Sequence, residues 1–369
     1  MKKILAVILS AMIVCAVSGC ANGKNESSAS KAETTSSTEA ATEAVTEATA
    51  ATANPEVPKE MEETIKANEF EGVIYAVENG TPVASFAKGT TENGNKITLD
   101  TPLPIGSVSK QFCAAAVLLL QEQGKLSVKD TLDKYYPDYA QGKKITLHNL
   151  LSMRSGIPEI TEESGADVTD SHTEAENVAI IKDWVFRQKL TSEPDTAFEY
   201  ANINYFLLAD IVQQVSGKEY VTFLRENFFA PLGMNHTGLI CELSSSPEWA
   251  NGNVYKQVDT QPGLTKGAGD IISNAADLTA WINALSSGKA ISADSFKAMT
   301  TDYSPDVHYG YGMYLELSGG VGHYGAIGIY SAFDYINTDK KLTLAVISNS
   351  IDPVSMTGLA GDLLTDLMP

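Results

Sequence analysis

The stretch LPIGSVSKQFCAAAVLLLQ, residues 103–121, sets Ser107 and Lys110 three residues apart at the head of an apolar run. The run predicts a helix over 107–123, with Gly124 placed as its C-terminal stop. Positions i and i+3 share a helix face, so the Lys110 amine can lie beside the Ser107 hydroxyl. A serine hydroxyl is a weak nucleophile unless a base stands within hydrogen-bond reach. Lysine can be that base only when neutral, which requires its pKa to fall from ~10.4 through burial or a nearby cation. The competing reading is a serine N-cap followed by an exposed lysine. The motif alone does not separate the two, because Ser-x-x-Lys recurs at Ser28–Lys31 and Ser286–Lys289.

Further along the chain, Tyr200-Ala201-Asn202 lies in FEYANINYFLLADIV, directly before an amphipathic stretch over 203–216 that reads as a helix. A second Tyr-x-Asn, Tyr335-Ile336-Asn337, runs into a turn and reads as strand plus hairpin. Lys-Ser-Gly and Lys-Thr-Gly are absent, but His-x-Gly occurs at His236, His308 and His323. His236 sits in a turn after a helix, and His308 begins a stretch read as a strand over 309–317. His323 lies in SGGVGHYGAIGIYSAF, a glycine-rich approach to a strand, where a backbone can come close to a ligand.

Strands are expected at both ends of the folded part. Residues 71–77 and 82–87 flank Glu78-Asn79-Gly80, a hairpin signal, and 327–336 and 342–348 flank a turn at Asn337-Thr338-Asp339. The middle reads as helical around 146–151, 174–187, 203–216 and 220–229. Another helix begins near Asn274, and a last one covers 353–367. The expected architecture is therefore α+β, with an antiparallel sheet flanked by helices and a mainly helical lobe inserted over about 125–265. A cleft between the two parts is the natural ligand site.

Taken together, Ser107-x-x-Lys110, Tyr200-x-Asn202 and His323-x-Gly325, in that order, resemble the serine β-lactamase and penicillin-binding protein superfamily. The similar branch holds class C β-lactamases, DD-peptidases, D-aminopeptidases and related esterases. GKLSVKDTLDKYYP, ITLHNLLSMRSGIP, PLGMNHTG and GAGDIISNAADLTAW look like that family's connecting segments, in the family's order. The resemblance implies a β-lactamase/transpeptidase-like fold and an acyl-enzyme on Ser107, with Lys110 and Tyr200 moving protons. It implies that Asn202 holds the substrate amide or the Lys110 ammonium. The N–H groups of Ser107 and Ala326 would form the oxyanion hole, and Gly325 would let the edge strand lie against the substrate. The chain departs from the class C pattern at His323, where those enzymes carry lysine. A histidine of pKa ~6.5 is a weaker anchor for a substrate carboxylate, so activity on such a substrate should decline as pH rises through the His323 pKa.

The ends and the composition narrow the setting. MKKILAVILSAMIVCAVSGC has a basic start, a short apolar run and a small-residue exit, the pattern of a secretory signal over 1–19. Ser18-Gly19-Cys20 resembles a bacterial lipoprotein signal, which implies lipidation at Cys20 and a membrane as partner, outside the cytoplasm. Residues 20–60 are rich in Ala, Thr, Ser and Glu and read as a disordered tether with an r.m.s. span of roughly 35 Å. Residues 61–369 then form the hydrolase domain. A formal charge of −20 argues against nucleic acid as a partner. The five histidines are scattered, so neither a metal nor a cofactor is expected. Of the four cysteines, Cys113 and Cys241 remain for the folded part; the sequence does not decide whether they pair, and buried free thiols are the preferred reading. The expected function is hydrolysis of a small peptide or ester, first a D-alanyl-D-alanine carboxypeptidase-like activity on peptidoglycan-derived peptides. The alternatives are a β-lactamase-family esterase or weak β-lactamase, and a non-catalytic penicillin- or muropeptide-binding lipoprotein.

Overall fold

A computed structural model of the chain describes residues 55–91, 94–242 and 261–368. The signal segment, Cys20 and most of the tether lie outside the described residues, as does the side chain of Cys241. Helix α1 (Lys59–Ala67) precedes the hairpin β1 (Gly72–Glu78) and β2 (Thr81–Lys88). The two-residue turn between them places Asn79 at φ 51° and Gly80 at φ 79°. Those are the left-handed conformations that a tight hairpin needs and that Asn-Gly supplies at low cost. Helix α1 begins at Lys59, and before it the Pro55 carbonyl accepts a hydrogen bond from Ser85 Oγ at 2.5 Å.

The C-terminal strands β6 (Tyr314–Leu317), β7 (Gly320–Ile327), β8 (Tyr330–Asn337) and β9 (Leu342–Ser348) join the hairpin in one antiparallel sheet of order β2-β1-β9-β8-β7-β6. The β1–β9 pairing, with Val73 opposite Ile347, closes the two ends of the folded part onto each other. Every residue of β8 and β9 is buried, so both faces of the sheet centre are covered. Helix α8 (Ala275–Ser286) packs on β1, β8 and β9, whereas α10 (Pro353–Leu367) packs on β7, β8 and α1.

Strand β7 was expected only as a glycine-rich approach, and the expected strand over 327–336 divides at a turn where Gly328 takes φ 54°. The glycines that hid β7 have a steric reason. A Cβ on Gly322 would lie 2.0 Å from the Asp334 carbonyl oxygen, and one on Gly325 would lie 1.9 Å from that of Ile105. The expected strand over 309–317 is likewise confined to Tyr314–Leu317, because His308 (φ 55°) and Gly312 (φ 68°) bend the chain before it.

Helix α2 (Ser109–Glu122) runs through the molecule with buried residues on every side of its first three turns. Phe112 stacks on Trp281 of α8 at 3.9 Å between ring centroids. The middle of the chain supplies α3 (Leu147–Leu151), α4 (Glu174–Arg187), α5 (Asn202–Ser216) and α6 (Tyr220–Leu224), which continues through a π-turn at Arg225–Phe229 into α7 (Ala230–Leu232). Helix α9 (Ala293–Met299) was not anticipated. A second, small sheet joins β3 (Leu103–Pro104), β4 (Gly238–Leu239) and β5 (Ile271–Ser273) in the order β3-β5-β4. It ties the entry to α2 against β5, where the Ile105 N–H donates to the Ile271 carbonyl at 3.0 Å.

Candidate functional site

Ser107 does not cap α2. It sits in a 3₁₀ turn, Gly106–Val108, that leads into the helix, and the residue at the N-cap position is Val108, which offers no side-chain bond. Gly106 takes φ 49°, and a Cβ there would meet the Ala326 amide nitrogen at 2.5 Å. The 3₁₀ turn and β7 therefore touch backbone to backbone. From the other side, a Cβ on Gly325 would lie 3.1 Å from the Ser107 amide nitrogen. The amides of Ser107 and Ala326 consequently flank one narrow seam, with the partly exposed Ser107 side chain at its mouth.

Lys110 lies one helical turn below Ser107 and is fully buried. Its Nζ donates to Ser107 Oγ at 2.9 Å, to Asn202 Oδ1 at 2.7 Å and to the Ala268 carbonyl at 2.8 Å. Three acceptors suit the three protons of an ammonium. The same Nζ lies 4.8 Å from the centroid of the Tyr200 ring and 5.8 Å from that of Tyr205, which adds cation–π stabilisation. Tyr200 ends an extended segment, and Asn202 is the first residue of α5. Three separate parts of the chain thus meet at one ammonium: the turn at the head of α2, the start of α5 with Tyr200 just before it, and the loop before β5.

His323 is buried, 1% exposed, and both ring nitrogens have protein partners. Nδ1 lies 2.5 Å from the Tyr324 carbonyl, which can only accept, so Nδ1 carries the proton. Nε2 then accepts from the Tyr309 hydroxyl at 3.2 Å. Burial, reinforced by the Lys110 charge and only partly offset by the Tyr324 carbonyl, brings the His323 pKa down to about 3. This corrects the expectation of a histidine that titrates near neutrality and meets a substrate carboxylate: the ring is neutral and turned into the protein. Its centroid lies 6.3 Å from that of Tyr200 and 5.0 Å from that of Tyr314, so it forms part of an aromatic wall behind the site. His236 and His308 lie elsewhere. The His236 N–H donates to Asp277 Oδ2, and His308 pairs with Asp302 at 2.9 Å.

Other contributors carried no motif. The Ala268 carbonyl is a backbone group and leaves no trace in side-chain chemistry. Asp334 of β8, fully buried, accepts at Oδ1 from the His323 N–H at 2.9 Å and from Gln111 Nε2 at 2.7 Å, while its Oδ2 has no partner. Burial raises its pKa to about 7. Glu159, in a loop whose function the sequence does not disclose, accepts from the Asn202 N–H. Cys113 is a free, buried thiol whose Sγ lies 3.6 Å from the Tyr205 carbonyl, and burial raises its pKa.

Comparison with known proteins follows the same geometry. A family model described as Beta-lactamase matches residues 58–364. The Bacillus subtilis protein PbpX is 30% identical over 311 residues, covering 81% of this chain and 75% of its own length. Penicillin-binding protein 4* of Bacillus subtilis is also 30% identical, over 76% of this chain and 68% of its own. Among solved structures, the octameric penicillin-binding protein homologue from Pyrococcus abyssi aligns with a TM-score of 0.67 and 27% identity, over 83% of this chain and 76% of its own. The D-amino acid amidase from Ochrobactrum anthropi SV3 aligns with a TM-score of 0.72 over 84% of this chain and 97% of its own, and at 22% identity it shares the fold.

Proposed function

The chain belongs to the beta-lactamase family and is a serine hydrolase of the β-lactamase and penicillin-binding protein type, and we propose that Ser107 is its nucleophile. The observation that carries this reading is the Lys110 amine, buried and held at 2.9 Å from Ser107 Oγ while Asn202 Oδ1 fixes its direction. Ser107 Oγ attacks the substrate carbonyl carbon, and its proton passes to Lys110 once that amine is neutral, with Tyr200 beside it. The oxyanion faces the N–H groups of Ser107 and Ala326. Collapse expels the leaving group, which takes the proton, and water hydrolyses the ester on Ser107. Asn202 holds Lys110 between steps, and Gly325 keeps the seam open to the substrate backbone.

We place the substrate among D-amino-acid peptides of the cell wall, worked on from outside the cytoplasm by a domain held through a lipid on Cys20 and the 20–60 tether. The setting rests on the lipoprotein-like Ser18-Gly19-Cys20 and the composition of the tether. The neutral, enclosed His323 supports a second reading in the same class. No cation from that position greets a free carboxylate beside the scissile bond, so an amide or an ester serves as well as a D-alanyl-D-alanine terminus.

Labelling the full-length protein with fluorescent penicillin and with a fluorophosphonate, beside Ser107→Ala, tests the nucleophile. Labelling that survives in the variant refutes it, and absence of labelling by either probe in the unaltered protein puts the non-catalytic binding lipoprotein ahead. Hydrolysis of a D-alanyl-D-alanine peptide compared with the same peptide amidated at its C-terminus separates the two substrate readings. A strong preference for the free carboxylate excludes the second.

A further inference from the structure

Helix α5 has an unusual start. Its N-cap residue, Ala201, supplies no side-chain bond, although the first N–H groups of any helix need acceptors. The acceptor arrives from another part of the chain. Glu159, three residues after Gly156 in the loop that follows α3, turns its carboxylate onto the Asn202 N–H through Oε2, and the Ile203 N–H is a further donor to it. Its other oxygen accepts from the Ile160 N–H at 2.9 Å. Both oxygens act as acceptors of backbone N–H groups, as those of a carboxylate anion do, and these bonds together with the Lys110 charge oppose the burial that raises the Glu159 pKa above its ordinary value. An anion at a helix N-terminus is also favoured by the helix dipole.

The residue so capped is Asn202, whose Oδ1 lies 2.7 Å from Lys110 Nζ, and the Glu159 charge acts directly on that ammonium. From these contacts, and resting on the reading of Ser107 and Lys110 as nucleophile and base, we infer that Glu159 is a positioning residue that fixes Asn202 and keeps the proton on Lys110 in the resting site. Glu159 touches no reacting atom. It acts through Asn202 by geometry and through Lys110 by charge.

Glu159 is a carboxylate on which the Lys110 charge acts directly, and the other titratable groups around Lys110 are the following. Tyr200 and Tyr205 approach from the α5 segment, and Tyr205 is held neutral by burial. His323 from β7 is neutral, with its pKa at about 3. Cys113, on the same helix as Lys110, keeps its proton because burial raises its pKa. Asp270, from the loop before β5, faces Cys113, and burial raises its pKa to about 7. An opposite charge close by raises an amine pKa, so its removal lowers it by about 1 to 3 units.

The pH dependence of the second-order labelling rate, taken with whichever of fluorescent penicillin or fluorophosphonate labels the unaltered full-length protein at Ser107, tests the inference. The acid limb of that profile reports loss of the Lys110 proton. Glu159→Gln keeps a carbonyl acceptor for the Asn202 N–H but removes the charge, so the limb moves toward acid by about one unit or more. Glu159→Asp keeps the charge and draws it back by one methylene, so its limb falls between the two. A role confined to helix capping would slow labelling equally at every pH, and an unmoved limb in either folded variant overturns the inference. Should Glu159→Gln fail to fold, Glu159→Asp decides alone by the same criterion. Ser107→Ala is run beside them: labelling that persists there refutes the nucleophile, whereas a Ser107-dependent reaction with an unmoved limb refutes only the role of Glu159.

Discussion

His323→Gln separates a buried neutral histidine from a charged carboxylate anchor. In the folded chain the His323 pKa is brought from 6.5 down to about 3 by burial and the nearby Lys110 ammonium. The unfolded chain returns to the ordinary value. Between those two limits the unfolded state binds a proton that the native state refuses. The stability His323 contributes is therefore present above pH 6.5 and is lost as pH falls toward 3, at ~1.4 kcal/mol per unit. Relative to His323→Gln, the unaltered protein should lose about 2 kcal/mol between pH 7 and pH 5. Asp270 and Asp334, whose pKa values burial raises to about 7, oppose this trend, but both are present in the variant and cancel in the difference. Any altered packing of the glutamine against Tyr309 and Tyr324 shifts the two curves by a constant. Urea unfolding at both pH values, with the slopes checked for equality, supplies the numbers. Parallel stabilities would refute the buried neutral ring. A relative gain of the unaltered protein on acidification would go further, since it requires a histidine charged in the native site.

Asp334→Asn tests the unpartnered carboxyl oxygen beneath β7. Its raised native pKa means that stability is present at low pH and lost as pH rises toward 7, so the variant should gain about 2.5 kcal/mol on the unaltered protein between pH 5 and pH 8, read by the same unfolding measurement. Gly325→Ala drives a methyl to 1.9 Å from the Ile105 carbonyl and parts the 3₁₀ turn from β7, so Ser107 labelling should fall at least ~100-fold; a near-normal rate would show that the seam is not the oxyanion site. Gly80→Ala serves as a control remote from the chemistry: forcing alanine to φ 79° should cost about 1 kcal/mol of stability and leave the labelling rate unchanged.

The elements with a periodic or capping signal were legible in the sequence, and those shaped by close approach were not. Helices Glu174–Arg187 and Pro353–Leu367 fall on the expected residues because each carries its own start signal, a Thr173 capping box in one and an Asp352 cap followed by proline in the other. The hairpin at Asn79-Gly80 was readable for the same local reason. Strand β7 was not, because glycine at 320, 322 and 325 removes the side chains from which a strand is recognised, and the cause lies in backbones contributed from elsewhere in the chain. The structure brings the expected site residues Ser107, Lys110, Tyr200 and Asn202 together, yet the environment of His323 inverts the role its residue type suggested. A histidine's charge is a property of its surroundings, and Tyr309, Asp334 and the Tyr324 carbonyl are not visible around it in one dimension.

The same distinction bears on Ser107 itself. A serine heading an apolar helix invites the N-cap reading, which would commit its oxygen to backbone N–H groups of the next turn. Here the 3₁₀ turn at Gly106–Val108 moves Ser107 ahead of the α-helix, and the cap position falls to Val108. The hydroxyl oxygen is left to accept from Lys110 and to face the seam beside Ala326. What permits the turn is Gly106, whose φ of 49° and missing side chain let β7 lie against it. The choice between cap and nucleophile therefore rests on a glycine one residue before the serine and on a strand more than two hundred residues away. Neither enters the spacing of Ser-x-x-Lys, which is why that spacing recurs twice elsewhere in this chain without either context.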